Sequence, residues 1–160
     1  MKKDRMRKKL LFAAAPLLLT VGGFVPAHAL NEDVMRNILS PVLLAQNLAL
    51  VCVKFDANFT RETGGQGGDA DRVLDHIKDE ILATMTREEA GPIVVSAAGA
   101  ARAVGLGMIR ALAGGSPEEQ TARIRTLCKR TAKPLVKGVV DDHEGRHEFF
   151  ERMLKDARQG

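Results

Sequence analysis

Tryptophan and tyrosine are absent from this sequence, and its aromatic side chains, histidine apart, are six phenylalanines. Two of those, Phe12 and Phe24, lie in the first 29 residues, which leaves Phe55, Phe59, Phe149 and Phe150 for the rest. Proteins that bind single-stranded nucleic acid stack its bases on aromatic faces, and sugar rings are commonly held the same way. So few rings favour neither ligand class. A surplus of positive charge is also missing once the N-terminus is set apart. The chain carries 24 Lys+Arg against 20 Asp+Glu, a formal charge of +4. Six of those bases (Lys2, Lys3, Arg5, Arg7, Lys8 and Lys9) and one acid (Asp4) lie within residues 1–29, leaving 18 bases against 19 acids and a net charge of −1. The basicity is local to the N-terminal segment and gives no support to a nucleic-acid partner.

Several chemical signatures are lacking as well. There is no glycine-flanked serine nucleophile and no phosphate-binding glycine loop; Ser40 and Ser116 sit where helix caps are expected, and Ser96 falls mid-helix. Only two cysteines occur, Cys52 and Cys128, with no C-x-x-C spacing. In an oxidising compartment they are expected to form one structural disulfide.

That compartment is read from the first 29 residues. A basic start, "MKKDRMRKK", precedes an apolar run of 16 residues, "LLFAAAPLLLTVGGFV", and then "PAHA" places Ala27 and Ala29 at the small-residue positions before a signal-peptidase cut. A membrane-spanning helix wants about 20 apolar residues, more than this run offers. The expected organisation is therefore a cleaved Sec-type signal peptide over 1–29 and a single helical domain over 30–160, exported to a bacterial periplasm.

The patterning of 30–160 is helical almost throughout. Asn31 is expected to cap a short helix, "EDVMRNIL", and Ser40 to cap a second one with Pro41 at its first position. Leu44, Leu48, Val51, Cys52 and Phe55 then recur at helical spacing. Residues 58–70, with Gly64, Gly65, Gly67 and Gly68, read as a flexible Gly-rich loop, and Asp69 or Asp71 as the cap of the next helix. That helix places Val73, Leu74, Ile77, Ile81, Leu82 and Met85 on one face.

The stretch 92–113 is apolar nearly all round, interrupted by Ser96, Arg102 and Arg110. Gly99, Ala103, Gly107 and Ala111 lie four apart, a groove of small residues that lets another helix approach closely. It reads either as a central helix wrapped by the others or as a contact surface for a partner helix or a membrane. The two arginines argue against full insertion into a bilayer. Gly114 and Gly115 end this helix; Ser116, Pro117 and Glu119 start the next with a capping box, and Pro134 is expected to kink or divide it. The fold class is thus all-α: a disulfide-stapled bundle of about five or six helices.

One motif carries chemistry. His143-Glu144-Gly145-Arg146-His147 fits H-E-x-x-H, in which two histidines on one helical face share zinc and the glutamate activates zinc-bound water. Over these five residues the segment resembles the zincin metallopeptidases, and the resemblance implies His143 and His147 as ligands with Glu144 as general base. The sequence departs from the zincin pattern in carrying Gly145, Arg146 and Glu148 where uncharged helix formers are usual, and no edge strand for substrate is apparent. A third protein ligand is needed, with His76, Asp75 or Asp79 the obvious sources. The economical alternative is an ordinary amphipathic helix, capped by Asp141 or Asp142, laced by acid-first pairs such as Asp142–Arg146, and buried through Phe150, Met153, Leu154 and Ala157.

From the residues alone, the expected function is a non-enzymatic periplasmic interaction protein of the chaperone, inhibitor or assembly-factor type, with an envelope or periplasmic protein partner and no cofactor. The two alternatives are a zinc-binding protein, with or without hydrolase activity, and peripheral association with an envelope membrane through 92–113.

Overall fold

The computed structural model describes residues 30–159. The expected signal segment, 1–29, lies outside the described residues. Helix α1 runs unbroken over Glu32–Cys52. Asn31 caps it, its side chain accepting from the Val34 N–H at 3.1 Å, and Glu32 and Asp33 complement the positive end of the helix dipole. The break expected at Ser40–Pro41 does not occur. The Ser40 hydroxyl donates back to the Arg36 carbonyl at 2.7 Å instead of capping a new helix. Pro41 forfeits one intrahelical bond on an exposed face, where water can satisfy the orphaned carbonyl.

The buried stripe of α1, comprising Met35, Leu39, Val42, Ala45, Leu48, Ala49 and Cys52, is the centre of the core. Around it pack α3 (Ala70–Ala83), α4 (Arg87–Arg110) and α6 (Lys133–Gly145), with the short α2 (Phe59–Thr63) at its C-terminal end. α5 (Pro117–Leu127) leads into α6, and α7 (His147–Gln159) closes the chain against α1 and α6. The fold is all-α, with no strand among the described residues, as the helical periodicities require.

The local signals that start helices act as expected at two further sites, and a third site was not foreseen. Asp69 caps α3 by accepting from the Asp71 N–H at 3.0 Å. Ser116 and Glu119 form the capping box of α5, with Pro117 at its first position. Thr86 and Glu89 form an equivalent box that starts α4 five residues before the apolar stretch; its signal is plain in the sequence, where the expected helix began at Pro92.

Pro134 acts on the chain before it. It cannot donate to the Arg130 carbonyl and its ring crowds that group. The helix answers with a π turn over Cys128–Ala132, closed by a bond from the Lys133 N–H to the Cys128 carbonyl. This turn carries the staple: Cys52 and Cys128 are disulfide-bonded with Cα atoms 5.5 Å apart, both buried in the core.

The Gly-rich segment is built rather than open. Residues 58–70 hold α2 and a 3₁₀ turn over Gly65–Gly67, where a flexible loop was expected. Phe59 and Thr63 are buried, and the Thr63 hydroxyl donates to the Phe59 carbonyl at 2.7 Å, so the segment has an anchor of its own.

Closing 76 residues of chain removes about 4.5 kcal/mol of unfolded-state entropy in the chain-entropy model, an upper figure. The double variant Cys52→Ala/Cys128→Ala is expected to lose roughly 2–4 kcal/mol in urea unfolding with little change in helix content. A loss under about 1 kcal/mol would mean that the core holds this junction without the bond.

Candidate functional site

The H-E-x-x-H stretch does not lie on one helix. α6 ends at Gly145, Arg146 leaves helical geometry at φ −134° and ψ 35°, and α7 starts at His147. Glycine is a poor helix former, and here it marks the point where the chain turns. His143 and His147 therefore belong to the end of one helix and the start of the next, yet the turn keeps their rings 5.0 Å apart.

The two histidines face a residue that spacing did not single out. Glu80, on α3, places Oε2 2.6 Å from Nε2 of His143 and Oε1 3.4 Å from Nε2 of His76. His143 is nearly enclosed, with 10% of its side chain exposed, and the Phe150 ring lies edge-on 5.2 Å away. His147 is 45% exposed and approaches Glu151 at 3.4 Å. Glu80, His143 and His147 each offer a ligand atom, and the three atoms lie within 4.8 Å of one another. His76 stands at the open side, 65% exposed, its ring centre 6.1 Å from that of His143.

The other expected third ligands are engaged or remote from this cluster. Asp75 accepts from Lys78 at 2.6 Å and from Gln46 at 2.8 Å. The Lys78 hydrogen bond is the main reason its carboxyl is held below the usual carboxylate range. Asp79 points to solvent, 73% exposed, at 4.0 Å from Lys78.

Glu144, the expected general base, has a different task. Its carboxylate accepts from the Gln66 N–H at 3.1 Å and the Gly67 N–H at 3.3 Å, tying α6 to the 3₁₀ turn. Gly65 sits at φ +56°, and a Cβ there would come within 2.5 Å of Glu144 Oε2. The Gly-rich segment is thus shaped to receive this carboxylate, and a charge-assisted pair of backbone bonds fixes it. With both oxygens so used, Glu144 is not placed to activate a water at the histidines. Asp142 pairs with Arg146 across the helix break as expected.

Two apolar surfaces lie outside this cluster. α4 packs on α1 through Ile93, Ala97, Ala101 and Gly105; Leu44 of α1 lies 3.9 Å from the position a Cβ would take at Gly105. The row Gly99, Ala103, Gly107 and Ala111 faces outward and is exposed along its length, as are Arg102 and Arg110. α4 is therefore an outlying helix and not the wrapped central one, a place taken by α1. Its outer side also exposes Val95 at 73%, Val104 at 47%, Leu106 at 40% and Ile109 at 40%. The second surface is a cleft of about 620 Å³ between α1, α6 and α7, walled by Ile38, Val42, Leu135, Val139, Phe149 and Met153 and edged by His143 and Arg146.

No protein-family model, no curated protein and no solved structure matches this chain.

Glu144→Ala is expected to strip the Gln66 and Gly67 amides of hydrogen-exchange protection and to cost about 1–3 kcal/mol, because two backbone donors lose a charged acceptor. Gly65→Ala should show the same loss, since the added methyl displaces the carboxylate at a positive φ. Unchanged protection in both would mean that the turn holds itself.

Proposed function

We propose that this chain is an exported, non-enzymatic helical interaction protein of the periplasm or envelope, of the chaperone, inhibitor or assembly-factor type, and that it engages a partner helix through the outer face of α4. The observation that carries this reading is the exposed side of α4. Large aliphatic side chains flank a row of small residues there, and one long helix touches the rest of the molecule along one side only. Apolar surface of this kind is costly to leave wet, and contiguous patches on a folded chain mark contact sites. The small-residue row supplies the shape: Gly99, Ala103 and Gly107 let a second backbone come close, so van der Waals contact extends along the interface.

Charge narrows the partner. Between Ala90 and Pro117 there is no acidic residue, and Arg102 and Arg110 both stand on the exposed side. A partner helix with an apolar stripe bordered by Asp or Glu fits this face, with the arginine stems covering apolar rim and their guanidinium groups pairing with carboxylates. The Cys52–Cys128 disulfide supports an oxidising location, which agrees with the signal segment read at residues 1–29.

The same face has a competing occupant, an anionic bilayer surface. α4 is apolar enough in length and composition to cross a membrane, with a mean hydropathy of 1.6 over its best window. Interfacial helices bury an apolar face while arginines reach the headgroups.

A photoreactive amino acid at Val95 or Ala103, with a control at Lys137 on α6, separates these cases in cells. The expected result is one discrete protein adduct from both α4 positions, none from Lys137, and loss of the adduct when Gly107 is changed to Glu. Equal labelling from all three positions, or none, would remove the α4 interface. Lipid adducts with flotation on anionic liposomes would transfer the face to the membrane surface.

A further inference from the structure

The cluster where α3, α6 and α7 meet is separate from the α4 face and has a chemistry of its own. We propose that Glu80, His143 and His147 form a non-catalytic binding site for a divalent transition-metal ion, zinc being the metal that two imidazoles and one carboxylate suit, with His76 at its open side. The inference rests on how the four groups converge and on which elements bring them.

Glu80 presents its two oxygens to two different imidazoles, at 2.6 Å to His143 and 3.4 Å to His76, and the rings of His143 and His147 lie 5.0 Å apart. The short contact between Glu80 and His143 holds a proton where an ion would go. Metal binding exchanges such a proton for the cation, because ligands bind in their deprotonated form. The three ligand atoms span up to 4.8 Å, and atoms bound to one zinc lie within about 4 Å of each other given Zn–N and Zn–O distances of about 2.0–2.2 Å. Closure therefore asks for a movement of roughly 1 Å, which the 45%-exposed His147 ring can make by rotation about its side-chain torsions. The 2.6 Å between Glu80 Oε2 and His143 Nε2 must also widen to the roughly 3.3 Å that separates two donors on a tetrahedral zinc; the partly exposed Glu80 supplies that movement, while His143 is almost enclosed with Phe150 against its ring.

The ligands come from three helices, and this distinguishes the cluster from a pair of surface histidines on one helix. Glu80 and His143 are 63 residues apart in sequence. An ion held by all three residues would fasten α3 to α6 and α7 across the break at Arg146, where the backbone leaves helical geometry. Glu144 points to the Gln66–Gly67 turn, so the site has no general base in the zincin position. The geometry points to an ion that braces the α6–α7 corner. His143 also borders the apolar cleft between α1, α6 and α7, so bracing the corner would fix one wall of that cleft.

The test is calorimetric titration of the purified protein with zinc chloride, beside Glu80→Gln, His147→Gln and Glu144→Gln. The expected result is one zinc per chain at micromolar affinity or tighter, weakened roughly tenfold or more by Glu80→Gln and by His147→Gln and unchanged in Glu144→Gln. Zinc should raise the melting temperature of the parent chain by clearly more than that of Glu80→Gln, a readout independent of the heat of binding. Both ligand changes are conservative and at partly exposed positions, and circular dichroism confirms folding before titration. If either proves unfolded, the other supplies the same comparison. No binding to the parent, or binding that Glu80→Gln leaves intact, overturns the three-helix site.

Discussion

Helix α1 is held at both ends, and the arrangement of every other helix follows from that. At its start the Asn31 N–H donates to the Ala157 carbonyl of α7 at 2.8 Å, joining the two ends of the described chain. At its finish Cys52 is covalently bound to Cys128 in the π turn before α6. Between these points α1 buries a stripe from Met35 to Cys52, and α3, α4 and α6 pack on it. Fixing one long helix in this way lets a chain with few aromatic side chains build a core from aliphatic residues, because the staple removes unfolded-state freedom that burial would otherwise have to offset.

The placement of α1 at the centre leaves α4 outside. Beyond Ile93, α4 meets α1 through Ala97, Ala101 and Gly105, which lets the two helices approach closely but buries little area per residue. Its aliphatic side chains consequently face water on the other side. Elsewhere, the break at Arg146 redirects the chain so that α7 returns to α1. The same turn gathers His143 and His147 near Glu80 and leaves Glu144 to hold the Gly-rich segment. One backbone event thus separates the H-E-x-x-H residues into two roles, with the histidines facing α3 and the glutamate facing the 3₁₀ turn.

Local signals were the legible part of this fold. Asn31, Asp69 and the Ser116–Glu119 box act over three or fewer residues, so their stereochemistry is written in adjacent positions. The disulfide was legible because two cysteines permit one pairing. Ser40–Pro41 was misread because the same dipeptide can cap a helix or sit inside one, and the choice is made by burial of Met35, Leu39 and Val42 on both sides of it. The α4 surface was partly legible. Two rows at spacing four, Ala97–Ala101–Gly105 and Gly99–Ala103–Gly107–Ala111, look alike as strings, and contact with Leu44 of α1 decides which is inside. Glu80 could not be found by spacing, since its partner lies on another helix far along the chain. Asp79, one residue before it, was legible as a candidate but points to solvent.

α4 is an outlying helix with an open apolar face. Solvent paramagnetic relaxation, read by NMR with a soluble gadolinium chelate, tests this without any substitution. The side-chain protons of Val95, Ala103 and Leu106 should relax strongly, while those of Ile93, Ala97 and Ala101 on the same helix stay protected, a pattern repeating every three to four residues. Equal protection of both faces in the isolated monomer would place α4 inside the bundle and contradict the account.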